Sequence, residues 1–161
     1  MEGLIRRVRQ DHTNDLIHLS DREITKIRPV GNQRIHWKPH NCLFFSYGTQ
    51  WIDWCFANNF NSETYRFVYR AKIDMSHFVI LESYADVRKF TTKYGVDIPE
   101  GFSWCIYWNR VKNDYSGFAI KNYRDIFFEY MNTKRDFLFD PDMWIYNMGY
   151  RYYRCFRSIS C

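Results

Sequence analysis

Residues 65–74 read YRFVYRAKID and alternate between apolar and mostly basic side chains. A period of two places successive side chains on opposite faces of a β-strand. One face therefore receives aromatic and aliphatic side chains, and the other receives Arg66, Arg70 and Lys72. The pattern predicts a strand with one buried face and one charged face.

Four shorter apolar runs predict further strands on either side of this one. Each is bounded by polar or turn-forming residues, which is typical of short buried strands. The runs are LIHL at 16–19, CLFFS at 42–46, FVIL at 78–81 and FAI at 118–120.

Stripes of apolar side chains with helical spacing separate these strands. Trp51, Trp54 and Cys55 stand at i, i+3 and i+4, so they predict one inward helix face, and Asn58 marks the helix end. Three more stripes predict helices with inward residues Val87, Phe90 and Tyr94; Trp104, Trp108 and Val111; and Tyr123, Ile126, Phe127, Tyr130 and Met131.

Two helix starts carry a serine in a capping position. SDRE at 20–23 fits a capping box and predicts a short helix with its isoleucines inward, stopped by Pro29. Ser83 is in position to cap the predicted helix that contains Val87, Phe90 and Tyr94, and Gly95 is in position to end it.

The strands and helices follow no strict strand–helix–strand order, so we expect an α+β fold. A mixed or split, mainly antiparallel sheet with helices packed on it accounts for this order. The charged composition of residues 1–14 predicts a flexible arm, and the length of residues 15–161 predicts a single domain.

Composition narrows the functional class. The 161 residues carry a net charge of +5, which permits a polyanionic partner without demanding one. Five cysteines without a CxxC pair indicate buried thiols in a reducing compartment, and the N-terminal stretch lacks a signal peptide's apolar core. No apolar run approaches the roughly 18 residues of a membrane span. The motifs GxGxxG, HExxH and GxSxG are absent, so we expect a cytoplasmic protein outside the enzyme classes that they mark.

Three short motifs, taken in order, resemble a group of mostly uncharacterised phage and large-virus proteins. The pattern of that group is K-P-x-G-L-W-x-S, then W-x-x-W-C, then an Asp-Tyr-(Asp/Ser)-Gly-Ile turn and strand. The corresponding stretches here are KPHNCLFFS at 38–46, WIDWC at 51–55 and DYSGF at 114–118. The resemblance covers about residues 15 to 123, with Asn41 or Cys42 in place of the first glycine.

The same order is similar to a divergent ADP-ribosyltransferase fold. The resemblance implies a viral protein of the host-cell cytoplasm that binds or cleaves NAD and acts on a host protein or nucleic acid. It implies His18, Ser46 and Asp142 as catalytic residues, because cleavage builds an oxocarbenium-like cation that a carboxylate stabilises. No motif here supplies the glutamate of such transferases, so an inactive descendant is included. The implied cofactor contacts are Tyr47, Trp51 and Tyr115.

Each of these residues also has an ordinary structural interpretation. His18 fits a core histidine that caps a backbone carbonyl, and Ser46 fits a turn residue at a strand end. Trp51 fits core packing on a helix. The candidates for the acid, all explained equally well by turn or surface positions, are Glu129, Asp140 and Asp142.

Two other clusters bear on function. Residues 150–157, YRYYRCFR, fit a platform for single-stranded nucleic acid or an ordinary terminal strand with solvated arginines. His36, His40, Cys42 and Cys55 lack the spacing of a standard zinc site, so we expect no metal. A non-enzymatic module that binds protein or nucleic acid is therefore the alternative function.

Overall fold

A computed structural model of the chain describes residues 16–27, 30–36, 38–40, 42–58, 60, 64–96, 105–133, 142 and 153–155. Strands and helices are interspersed in these ranges, so the fold is α+β. The strands are β1 (Leu16–Ser20), β2 (Ile35–His36), β3 (Leu43–Tyr47), β4 (Phe67–Ala71), β5 (Phe78–Leu81), β6 (Gly95–Val96), β7 (Cys105–Tyr107), β8 (Gly117–Ile120) and β9 (Tyr153–Cys155). The helices are α1 (Gln50–Ala57), α2 (Tyr84–Tyr94), α3 (Trp108–Asp114) and α4 (Tyr123–Thr133). The predicted arm, residues 1–14, lies outside the described residues.

The strands form two sheets. The larger has the order β4-β1-β3-β9-β8-β5, and all its pairs are antiparallel except β5 with β8. The parallel pair needs a long crossover, which α2 and α3 provide between β5 and β8. The smaller sheet has the order β2-β7-β6 and is antiparallel. The mixed, split sheet predicted from the sequence is confirmed.

Strand register assigns side chains of the large sheet to two faces. Ile17 pairs with Ser46, so both point to the same side, where Ile52 of α1 packs on Ile17. β9 pairs with both β3 and β8, and the register places Phe118 of β8 on the same side of the sheet as Ser46 of β3. There the ring of Phe90 from α2 lies 5.4 Å from the ring of Phe118. We call this side the helix face.

The opposite side of the large sheet is covered near β1 by residues 24–27, and we call it the loop face. His18 pairs with Tyr69 on this side, beside Phe45 of β3. The backbone N–H of Ile24 donates a 2.7 Å hydrogen bond to the Tyr69 hydroxyl, which ties the covering segment to β4.

The short helix predicted after β1 does not form. The Ser20 hydroxyl bonds both the N–H and the carbonyl of Arg22, at 3.2 and 2.6 Å. A serine that bonds its own neighbour two residues on competes with helix formation. The Ser20 carbonyl also accepts a bond from the Arg66 N–H at 3.0 Å, which extends the β1–β4 ladder instead. The capping-box prediction for residues 20–23 is therefore wrong.

The inward face of α1 also differs from the prediction. Ile52 and Cys55 are buried, at 5% and 1% exposure, whereas Trp51 and Trp54 are half-buried. At about 100° per residue, Ile52 and Cys55 lie about 60° apart and Trp54 lies almost opposite Ile52. The predicted end of the helix is confirmed, because Asn58 caps it with a 2.8 Å bond from its side-chain amide to the Trp54 carbonyl.

The α2 prediction is confirmed at both ends. Ser83 and Asp86 form a reciprocal capping box, and Gly95 follows the last helical residue. The predicted helix containing Trp108 begins at that residue and not earlier, because Cys105–Tyr107 pair as β7 with β2 and β6.

The α4 stripe is confirmed except at one end. Tyr123, Ile126 and Tyr130 are buried and Phe127 packs against the core, but Met131 is 37% exposed. At about 100° per residue, Met131 lies about 80° around the helix from Tyr123, beyond Phe127 and away from the buried side. None of the described helices is long and apolar enough to cross a membrane.

Candidate functional site

A cavity of about 230 Å³ lies on the helix face beside β1, β3 and the start of α1. We call it the helix-face cavity. Its wall is largely apolar and aromatic, with a few hydroxyl and carboxylate groups. The residues that matter for recognition are Phe44, Ser46, Trp51, Tyr65, Ser20 and Asp21.

Ser46 supplies a buried polar group to this cavity. The residue is only 3% exposed, and its hydroxyl opens onto the cavity and makes no hydrogen bond with any residue in the described part of the chain. A hydroxyl that opens onto a cavity can form a hydrogen bond there with water or with a ligand. The Ser46 hydroxyl is therefore available to a bound polar group.

Trp51 supplies an aromatic wall. Its indole stacks on that of Trp54, with centroids 4.8 Å apart and planes inclined by 12°. Phe60 packs against both rings at 5.8 and 5.5 Å. These contacts hold the Trp51 ring in one orientation at the edge of the cavity, which lowers the cost of stacking a planar ligand there.

Tyr65 and Asp21 complete the cavity, and sequence reasoning did not assign either to a site. The Asp21 side chain is 62% exposed and lies 3.8 Å from the Arg22 guanidinium. Tyr65 begins the alternating stretch 65–74, whose pattern predicts a strand and gives no sign of a site. Asp21 belongs to the SDRE stretch, whose pattern predicts a helix cap and not a place in the same cavity lining as Ser46.

His18 borders the helix-face cavity, but its imidazole lies on the loop face. Nδ1 is 2.7 Å from the Phe44 carbonyl, and the ring lies 5.7 Å from Phe45 and 6.3 Å from Tyr69. Because a carbonyl only accepts, Nδ1 carries the proton and donates. Burial lowers the pKa of His18, so the ring is neutral at pH 7 and Nε2 is an acceptor. The structure thus supports the carbonyl-capping interpretation of this histidine.

His18 and Ser46 lie on neighbouring strands as predicted, but their side chains do not meet. Ser46 pairs with Ile17, one residue before His18, and successive side chains point to opposite faces. Their expected convergence in one cleft is therefore wrong.

Asp142 lies far from both. Its carboxylate is 4% exposed and accepts a 2.8 Å hydrogen bond from the Tyr84 hydroxyl, at the start of α2. Tyr84 follows β5, which is three strand positions from β3, or about 14 Å at the usual spacing. Asp142 therefore does not join Ser46 at the helix-face cavity. Glu129 is exposed on α4, and Asp140 lies outside the described residues.

The other expected cofactor contacts are also dispersed. Tyr47 lines a separate cavity of about 670 Å³ beside Trp54 and residues 120–125. Tyr115 packs edge-on against Tyr94 at 6.4 Å, away from the helix-face cavity. Of the six residues expected by resemblance, Ser46 and Trp51 are the pair whose side chains share this cavity.

The remaining clusters are the histidine and cysteine residues and the basic aromatic stretch. No group of three His, Cys, Asp or Glu residues there is arranged to hold a metal ion. Of the basic aromatic residues 150–157, the structure describes the backbone of Tyr153–Cys155. As β9, this strand pairs on one edge with β3 and on the other with β8. Its edges are therefore closed to a partner strand.

No protein-family model, no curated protein and no solved structure matches this chain. The functional conclusion therefore depends on the geometry of the helix-face cavity.

Proposed function

We propose that this protein binds the nicotinamide end of NAD, or a similar planar heteroaromatic amide, in the helix-face cavity and does not cleave it. The observation that carries the proposal is that the Ser46 hydroxyl opens onto the same small cavity as the ring of Trp51. A hydroxyl both donates and accepts, so Ser46 matches a carboxamide, and Trp51 offers a surface to the ring.

The size of the cavity limits what enters it. Its volume of about 230 Å³ is below the range of about 300–1,000 Å³ that is usual for drug-sized ligands. A single ring with its amide fits this space, whereas the ribose and phosphates extend past Ser20 and Asp21 to solvent.

The charge at the rim favours the oxidised form of the cofactor. The nicotinamide ring of NAD⁺ is a cation, and both a carboxylate and an indole face attract cations. Asp21 and Trp51 supply these two groups. We therefore expect NAD⁺ to bind more tightly than NADH.

Binding without cleavage follows from where the polar groups lie. Cleavage requires a carboxylate beside the developing ribosyl cation. Asp142 is held by Tyr84 beyond β5, and the His18 imidazole is on the loop face. Asp21, the carboxylate at the rim, is 62% exposed and lies 3.8 Å from the Arg22 guanidinium, so solvent and a counter-charge screen it. In the ADP-ribosyltransferase-like family that the motifs resemble, this chain would be an inactive viral descendant that binds NAD in the host cytoplasm.

Calorimetric titration with NAD⁺ tests the proposal. Ser46→Ala removes one hydrogen bond and should weaken binding about tenfold, since about 1.4 kcal/mol is tenfold in affinity. Trp51→Ala should weaken it further. The matched control is Ser76→Ala, at an exposed serine before β5, which should bind as the wild type does.

Three outcomes would count against the proposal. The first is no heat of binding at millimolar NAD⁺ or nicotinamide. The second is binding that both Ser46→Ala and Trp51→Ala leave unchanged. The third is steady consumption of NAD by the wild type. Tight binding of a labelled single-stranded oligonucleotide, with no NAD⁺ binding, would favour the alternative of a nucleic-acid-binding module.

A further inference from the structure

A second cavity lies on the loop face, on the other side of the β1–β3 pair from the helix-face cavity. Its volume is about 370 Å³, and Ile24, Ile27, Leu43 and Phe45 supply most of its apolar wall. His18 and Tyr69 also line it, together with the polar residues Thr25, Lys26 and Arg70. We call it the loop-face cavity.

The His18 imidazole and the Tyr69 hydroxyl each retain one hydrogen-bonding function, an acceptor on His18 and a donor on Tyr69. The His18 ring uses Nδ1 to donate to the Phe44 carbonyl, which leaves Nε2 as an acceptor. The Tyr69 oxygen accepts from the Ile24 N–H, which leaves its own O–H as a donor. Neither group makes another hydrogen bond with the described residues. The two rings lie 6.3 Å apart.

We propose that the loop-face cavity is a binding site for a small phenol. One hydroxyl group donates to His18 Nε2 and accepts from the Tyr69 hydroxyl, while the ring packs against the isoleucines and Phe45. The volume lies within the usual range of about 300–1,000 Å³ for small-molecule pockets, and a mostly apolar wall with few polar groups is typical of them. His18 and Phe45 also border the helix-face cavity, but Ser46 and Trp51, which carry the proposed NAD site, do not line the loop-face cavity.

The probe is p-cresol, with p-xylene as the matched ligand in which a methyl group replaces the hydroxyl. Binding is followed by NMR, from the ¹⁵N resonance of His18 Nε2 and the backbone amides. The expected result is saturable binding of p-cresol with a shift of the Nε2 resonance, and at least tenfold weaker binding of p-xylene.

His18→Asn is the informative variant. The asparagine amide nitrogen takes the place of Nδ1 and keeps the bond to the Phe44 carbonyl, while the Nε2 acceptor is lost. We expect this variant to keep its amide spectrum and to bind p-cresol about tenfold more weakly. If the His18→Asn variant does not fold, Tyr69→Phe is the second variant. It removes the donor and is expected to weaken the binding of p-cresol about as much.

Ser46→Ala separates this site from the proposed NAD site. It should leave p-cresol binding unchanged even if it abolishes binding of NAD⁺, so either proposal can fail alone. Equal affinities for p-cresol and p-xylene, an unmoved Nε2 resonance at saturation, or unchanged binding in both His18→Asn and Tyr69→Phe would overturn the phenol site.

Discussion

The imidazole of His18 donates a 2.7 Å hydrogen bond from Nδ1 to the backbone carbonyl of Phe44. The pairing of β1 with β3 covers Leu16 and Ile17 and stops before His18. A strand carbonyl beyond the end of the ladder needs another donor if it is shielded from water. His18 supplies that donor, so its side chain extends the contact between the two strands by one bond.

The burial of the His18 ring predicts how stability changes with pH, because burial outweighs the opposite effect of the bond to Phe44 on the pKa. Burial lowers the pKa of His18 in the folded state below its ordinary value of 6.5. In mild acid, His18 is therefore protonated in the unfolded chain but not in the folded chain. The free energy of unfolding consequently falls as the pH drops below 6.5. Urea unfolding at pH 7.5 and 5.5 should show a smaller acid-induced loss in His18→Asn than in the wild type.

His36 provides a comparison for the same experiment. Its pKa is also lowered, first by burial and then by the charge of His40, so His36→Asn should remove a separate share of the loss. A wild-type stability that is equal at the two pH values would contradict the buried, neutral state of His18.

Gly117 should tolerate no side chain. A Cβ at this position would overlap the ring of Phe78 on the neighbouring parallel strand. Alanine usually stabilises a strand relative to glycine, but forced repacking in a core costs about 1–3 kcal/mol. Gly117→Ala should therefore lower the free energy of unfolding, measured in urea. Gly31→Ala, where a Cβ meets nothing within 4 Å, is the control and should change it by less than about 0.5 kcal/mol.

The buried bond between Tyr84 and Asp142 should matter for stability. Tyr84→Phe removes a donor from a carboxylate that is 4% exposed, at a cost of about 1–3 kcal/mol. Tyr94→Phe removes a similar 2.5 Å bond to Asp114, whose side chain is 43% exposed, so its cost should stay below about 1 kcal/mol. Equal losses in thermal or urea unfolding would show that Asp142 is as well solvated as Asp114.

The two edges of the α4 stripe should differ in the same way. Ile126 is 2% exposed, so Ile126→Ala should cost about 2–5 kcal/mol. Met131 is 37% exposed, and Met131→Ala should cost less than about 0.5 kcal/mol. Denaturant unfolding of both variants checks the orientation of the helix. A loss at Met131 as large as that at Ile126 would mean that α4 is rotated toward Phe127.

Elements with strong local signals could be predicted from the sequence. The run FVIL at 78–81 is β5 residue for residue, and α2 begins and ends at its predicted serine and glycine. Capping and short apolar runs act within a few residues, so the amino-acid order is enough. The stretch 65–74 is a strand for the same reason, although pairing with β1 limits β4 to Phe67–Ala71.

Tertiary contacts overrode weaker local signals. The SDRE stretch has the pattern of a capped helix, but pairing of Ser20 with β4 and the bond from Ile24 to Tyr69 hold residues 20–24 in another path. On α1, the tryptophans have helical spacing, but Ile52 reaches the sheet because Ile17 stands opposite it. A hydrophobic stripe predicts that a helix forms, but the element that packs against the helix determines which side is buried.

The amino-acid order alone placed His18 and Ser46 on two adjacent strands and Trp51 on the helix that follows. It did not contain the register of those strands, which pairs Ser46 with Ile17 and not with His18. A shift of one residue moves a side chain to the other face of a sheet. That register depends on contacts among β1, β3, β4 and β9, whose residues are far apart along the chain. Only the assembled sheet therefore separates the imidazole from the hydroxyl and leaves a cavity on each side.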